Sequence, residues 1–334
     1  MEQTQKGLLL AKIESVYGTD AAPTGAANTI AVVRSAVSFE IEHERVPREI
    51  LNGTWERASG FNLLRTAKMS FRVEARGNYT TGGTDTDITS GASAQAIEID
   101  CLLRACDLTP TYTAETSNGA RDGYVIYKPA EPEDEGASAT LWFYTGGKVH
   151  KMTGAKGNVK AVFEAGKMAY LDFEFRGLYV AAADASLPGT ITLLATKPPL
   201  FGSASLTVGS FAAIIKTLTF DLGNQVVRRE DANAANGIKG FAVVNRMMKV
   251  TIDPETVTEA AQPWFGDFQT PTSRTITWTL GSVGGNKALF SAVGESEAIS
   301  YGDRSGLRTN QITYDLVRAA LSDAANGLFS VKFF

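Results

Sequence analysis

Apolar and polar residues alternate with period two along most of this chain, and the alternating segments are rich in Val, Ile, Thr, Phe and Tyr. That pattern predicts strands with one buried face. It is clearest over Met69 to Glu74, Tyr124 to Tyr127, Leu141 to Tyr144, Lys160 to Glu164, Ala169 to Tyr179, Thr217 to Leu222, Thr275 to Leu280 and Gln311 to Val317. Helical spacing is confined to two places. One runs from Ser93, a candidate N-cap, to about Cys106, and the other from Glu255 to Phe265, interrupted at Pro263.

The alternation is written twice. Val37-Ser38-Phe39-Glu40-Ile41 and Leu218-Thr219-Phe220-Asp221-Leu222 share one apolar and acidic pattern, and each leads at equal spacing into Arg-Glu, as Arg48-Glu49 and Arg229-Glu230. The offset is 181 residues, and it also pairs Val46 with Val227. Beyond it, Met69, Phe71 and Val73 alternate like Met248, Val250 and Ile252, and Leu171, Phe173 and Phe175 like Ile312, Tyr314 and Leu316. A period this long exceeds a solenoid repeat of about 20–50 residues and has the size of a domain. The reading is mainly β: two tandem copies of an antiparallel sandwich or barrel, each with a flanking helix and a long extended arm. The expected boundaries are residues 1–186 and 200–334, with a linker over 187–199 where Leu187-Pro188-Gly189 and Lys197-Pro198-Pro199 break the pattern.

The arms are the segments Glu42 to Thr66 and Gly223 to Asn245, too long to be idle loops in a compact domain. Charge separates them from the rest. Residues 45–76 hold seven basic and three acidic side chains and residues 226–252 five and two, so against a net −4 the remainder carries −11. A basic arm suits an acidic surface on an identical neighbour. The expected contact residues are Arg48, Glu49, Arg229 and Glu230, with Trp55, Phe61 and Phe241 packing between subunits. The segments Tyr79 to Ala92 and Glu131 to Gly136 read as polar loops, and Thr109 to Gly136 has no full counterpart in the second copy.

Little in the chain suggests chemistry. His43 and His150 belong to no metal-ligand cluster, and the two cysteines, Cys101 and Cys106, read as small buried hydrophobes. Gly281 to Lys287 lacks P-loop spacing and reads as a hairpin turn. Asp172 and Glu174 lie where alternation puts them, on the polar face of a strand. The expectation is no enzyme, no cofactor and no metal. No stretch approaches the roughly 20 apolar residues of a membrane span, and a net negative chain does not grip nucleic acid.

The opening Glu14-Ser15-Val16-Tyr17-Gly18-Thr19-Asp20-Ala21-Ala22-Pro23-Thr24 resembles the "E-x-x-Y-G-T-D-x-x-P-T" run that opens phage tail tube proteins of long non-contractile tails. The duplicated layout supports the resemblance. It implies a virion protein that stacks as rings around a DNA channel, here three chains presenting six domains. Its partners would be itself, the tape measure, terminator and distal tail proteins, and DNA passing without being held. The alternatives are another ring-forming tail or neck component, such as a terminator or distal tail protein, and a β-rich carbohydrate-binding or hydrolytic module.

Overall fold

A computed structural model describes residues 6–51, 53–77, 97–113, 124–130, 136–234, 236–283, 285–318 and 327–334. The expected loop 79–92, most of the 131–136 turn and the Ser93 cap lie outside these residues. The chain is mainly β, and all eight segments predicted from alternation lie in antiparallel strands, five wholly and three but for one end residue, Ala169, Leu222 or Val317.

Four strands of the first copy and four of the second form the body. They are β3 (Ser38–Arg48), β4 (Ala58–Glu74), β8 (Lys148–Glu164) and β9 (Tyr170–Asp184), then β12 (Thr217–Asp221), β15 (Lys249–Ile252), β17 (Asn286–Arg304) and β18 (Leu307–Leu316). Their spatial order is β3-β4-β9-β8-β12-β15-β18-β17, antiparallel throughout. One four-strand unit has been used twice. The pairing registers prove the equivalence and correct one detail of it. Phe39 lies opposite Met69, and Phe220 opposite Val250, so Met69 corresponds to Val250 and not to Met248. Likewise Met69 faces Phe175 and Val250 faces Tyr314, which equates Phe175 with Tyr314. The slip from the sequence reading is two residues, one full side-chain period, which alternation cannot detect.

Each unit carries the same additions. In the first, β1 (Gly7–Ile13) pairs with β2 (Thr29–Ile30) and with β7 (Ala139–Thr145), which pairs with β8. In the second, β10 (Thr207–Val208) pairs with β11 (Phe211–Ala212) and with β16 (Arg274–Val283), which pairs with β17. The turn expected at Gly281 to Lys287 is the end of that β16–β17 hairpin, where Val283 meets Asn286. The unmatched segment of the first copy holds β5 (Leu108–Thr113) and β6 (Tyr124–Pro129), and β6 is joined by β19 (Phe329–Phe333), which also pairs with β17.

The helices are shorter than expected. α1 spans Asp100–Ala105, and α2 spans Trp264–Gln269. The second expectation was misplaced: Pro263 is the N-cap of α2 and does not interrupt a helix running from Glu255. Proline lacks an N–H and has a preset φ, so it suits a helix start and resists a helix interior.

Alternation places Met69, Phe71 and Val73 of β4 against Phe175, Phe173 and Leu171 of β9, all buried. Burial of such side chains stabilises by about 1.5–3 kcal/mol each. Enough apolar residues exist for two separate cores, yet most of the buried apolar side chains form one contiguous cluster spanning both copies, beside a small one of Leu8, Leu10, Tyr144 and Val149. The reason is the β8–β12 pairing, Leu218 opposite Phe163 and Phe220 opposite Ala161, which fuses the sheets. Across the seam Phe163 meets Trp278 and Phe290 edge-on at 5.9 and 5.2 Å, and the latter two stack at 5.1 Å.

Candidate assembly surfaces

Three features of the body are left for contact with something else: two hairpin arms, two strand edges and one polar sheet face. The arms are extended hairpins, as expected. The first is the distal part of β3 and β4, with Val46 opposite Phe61. The second is β13 (Asn224–Glu230) paired with β14 (Ile238–Arg246), with Val227 opposite Ala242, the same register displaced by 181.

The two arms are disposed differently. The first presents large apolar side chains to solvent: Leu51 and Trp55 are 107 % and 104 % exposed, and Ile41, Val46, Phe61 and Leu63 are exposed too. A strip of this kind is an interaction surface or an aggregation liability. The second arm is seated on the first copy of its own chain. Tyr17 Oη accepts the Phe241 N–H at 2.6 Å and donates to the Gly154 carbonyl at 3.0 Å. Glu14, 8 % exposed, accepts from the Gly18 and Gly154 N–H groups and from the Ser138 and Thr140 hydroxyls. A buried carboxylate needs such donors. Asp20, in turn, accepts from Trp142 Nε1 at 3.0 Å and pairs with Lys151 at 3.2 Å. The Glu-x-x-Tyr-Gly-Thr-Asp opening is thus a rigid bracket, and its tyrosine holds the second arm.

The expected contact residues separate accordingly. Arg48 ends β3 with its guanidinium 5.9 Å from the Phe61 ring, Glu49 follows it, exposed, and Trp55 stands near the arm tip. On the second arm Glu230 pairs with Arg228 at 2.6 Å, because residues two apart share a strand face. Arg229 lines a cleft against the first copy with Glu14, Asp107 and Lys156. Phe241 is a correction: at 4 % exposure it is packed within the chain and offers no surface to a neighbour. Sequence reading missed another repeated pair at the base of the arms, Arg65 and Arg246, although the same offset connects them.

The free edges follow from the strand order. Among the described residues β3 pairs only with β4, and residues 295–304 of β17 pair only with β18, so each turns a backbone edge outward that no described strand covers. Neither edge contains proline between 36 and 42 or between 295 and 304. The edge strand β5, by contrast, carries Pro110, the usual guard against added strands.

The polar face of the eight-strand sheet has its cations tied to carboxylates. Arg72 makes a two-pronged bond to Asp172 at 2.6 and 2.8 Å. Lys68 pairs with Glu174 at 3.1 Å, Arg176 with Glu42 at 3.5 Å, Lys249 with Glu297 at 2.6 Å and Arg304 with Asp253 at 3.1 Å. Such exposed pairs add only about 0–1 kcal/mol each, but they cancel positive charge where it stands. Glu40, Glu74 and Asp315 add negative charge to the same face.

Reactive groups are muted. Burial first, then the Asp100 charge, pushes the Cys101 thiol up to about 12, and burial with Asp107 raises Cys106 well above the ordinary thiol range. Among the described residues no cluster of His, Cys, Asp and Glu could hold a metal, and no helix is long and apolar enough to cross a membrane. His43 is exposed on β3, whereas His150 on β8 lies 4.8 Å from the Phe39 ring with Nδ1 buried and unpartnered. Burial, then Lys148, lowers the His150 pKa. The folded state therefore binds fewer protons than the unfolded state below the ordinary imidazole value of about 6.5. Stability is expected to fall as pH drops from 7 to 5, and His150→Phe is expected to flatten that slope in thermal melts. Equal slopes for the two proteins would contradict this.

Repeated sheet units, open edges and self-neutralised charge are the build of a structural β protein. The chain belongs to the phage tail tube protein family, whose profile matches residues 4–316. A comparison with curated proteins found no match. Family membership makes it a structural protein of the phage tail.

Proposed function

We propose that the chain polymerises into stacked rings of three, each presenting six sheet units around a channel through which DNA passes, with 1–186 and 200–334 as the two domains and 187–199 as the linker. One observation carries the reading: the β8–β12 junction inside the chain has both its halves again at the ends of the sheet. β3 is the counterpart of β12, and residues 300–304 of β17 are the counterpart of residues 160–164 of β8. Joining β3 of one chain to β17 of the next repeats the internal seam and abolishes the edges, as closure into a barrel does. Carrying the Phe220–Ala161 pairing across places Phe39 opposite Tyr301 of the neighbour.

In that ring the polar sheet face lines the channel. Its surplus carboxylates repel phosphate, and its paired cations leave no ladder of DNA contacts. The first arm, with Arg48, Glu49, Trp55 and Phe61, reaches neighbouring subunits, and other tail proteins cap the tube. The role is one of shape and contact, not catalysis.

The test uses a single chain carrying Phe39→Cys and Tyr301→Cys. These positions sit at opposite ends of eight strands, roughly 34 Å apart at about 4.8 Å per spacing, so an internal disulfide is out of reach. Oxidation of assembled protein is expected to give a covalent ladder ending at three chains. A ladder ending at six, or no cross-link in assembled protein, overturns the proposal. Micrographs of the same sample distinguish long tubes from the single rings of a terminator-like component.

A further inference from the structure

The base of the second arm is held by a clasp. The Asn224 side-chain amide donates to the carbonyls of Cys106 and Gly157 at 2.7 and 2.9 Å, and its backbone N–H donates to Asn158 Oδ1 at 3.0 Å. Arg246 donates to Asn224 Oδ1 at 2.9 Å and to the Asp107 carbonyl at 3.1 Å. The clasp fills a notch in the edge of β8, between Ala155, the last residue paired with β7, and Lys160, the last paired with β12. Lys156 forms the notch floor, buried and bonded to Asp107 at 2.8 Å.

The 181-residue offset puts His43 and Arg65 of the first arm where Asn224 and Arg246 stand. Both are exposed, and neither makes a hydrogen bond or ion pair with another described residue. The equivalent gap in strand pairing, which we take as the second notch, lies on β17 beyond Gly294, the last residue paired with β16 among the described residues. Gly157 lies opposite Phe175 and Ser296 opposite Tyr314, so Ser296 takes the place of Gly157 and Glu295 that of Lys156. Ser296 is 8 % exposed, and its Oγ is buried without a partner. Glu295 bonds Ser273, which follows α2, much as Lys156 bonds Asp107, which follows α1. Where the first notch has a lysine floor, the second has a carboxylate.

We propose that His43 and Arg65 of one chain enter this second notch on a neighbouring chain, His43 bonding Ser296 and Arg65 bonding Glu295. The site rests on the ring reading and adds to it a rule of order. Occupancy and charge together set the rule: the Lys156 notch is already filled by the chain's own Asn224 and Arg246, whereas the Glu295 carboxylate attracts a cationic first arm, so first copies join second copies and not each other. Lys249 already holds Glu297, and Asp315, directly opposite Glu295, adds a second carboxylate beside the one offered to the incoming guanidinium.

The experiment is a charge swap in the full chain, read by sedimentation of polymer at low salt, with folding checked by circular dichroism. Arg65→Glu is expected to lower polymer yield at least tenfold, and adding Glu295→Arg to restore it to within about threefold. His43→Asn, which installs the residue of the internal clasp, is expected to polymerise well, and His43→Ala poorly. Folded Arg65→Glu that polymerises normally, or a double variant no better than the single, overturns the clasp. The Phe39→Cys, Tyr301→Cys ladder keeps the two ideas apart: a normal ladder with an indifferent Arg65 rejects the clasp alone, and no ladder rejects the ring.

Discussion

Tyr301→Pro is expected to leave the chain folded and abolish its polymerisation. Asn310, opposite Tyr301, sends its N–H to the Pro254 carbonyl and so turns away from β17. Tyr301 and Asn310 are therefore a non-hydrogen-bonded pair, and the Tyr301 N–H points out of the sheet edge. The internal seam has the same geometry, with the Leu222 N–H donating to the Val159 carbonyl across it. Proline at 301 removes a donor that no described residue uses and places its ring where an incoming strand would lie. Tyr301 is 56 % exposed, and the packing lost with it is confined to the Phe265 ring at 5.3 Å and the Arg308 guanidinium at 4.6 Å. Tyr301→Ala, which keeps the N–H, is expected to retain most assembly. Circular dichroism reports the fold and sedimentation the polymer; tubes at wild-type yield from the proline variant would reject the edge pairing.

The largest effect on stability is expected from Trp278→Ala, a loss of about 3–5 kcal/mol, the usual range for deleting a buried aromatic. Trp278 is fully buried between Phe163 of the first copy and Phe290 of the second. Because the core is contiguous, the denaturant midpoint of the whole monomer should shift in one transition. Trp278→Phe is expected to cost much less, since it keeps the stacking and removes an indole N–H that has no partner. Two transitions, with the first copy unmoved, would mean that the seam does not couple the halves.

Much of the fold was legible because strands advertise themselves. Phe39, Met69, Phe71, Phe173 and Phe220 alternate with polar neighbours, and the structure buries or half-buries each of them on one face of the sheet. The arms were legible as long unpatterned inserts between strands. Helices were read poorly, since α2 is six residues long and sits beyond a proline that looked like its end. The candidate site was legible only in part. Arg48, Glu49, Trp55 and Phe61 do stand on an exposed arm, but Phe241, alike in sequence context, is covered by the Tyr17 bracket more than 200 residues away. No local pattern reports a contact of that separation. Arg65 and Arg246 were findable from the offset, yet their meaning required the carbonyl groups that Arg246 reaches.

By itself the sequence determined the strand content, the duplication and the family-like opening, because each is a matter of side-chain type and spacing. Only the tertiary structure decided which strand lies beside which, the two-residue correction to the repeat, and the edges left open at β3 and β17. The physical reason lies in the geometry of a strand. Side chains project above and below the sheet, so their alternation records burial, whereas strand pairing runs through backbone groups in the sheet plane. Those groups are the same at nearly every residue. A slip of two residues, or an exchange of one edge for the other, leaves the side-chain pattern unchanged and alters every contact the sheet can make.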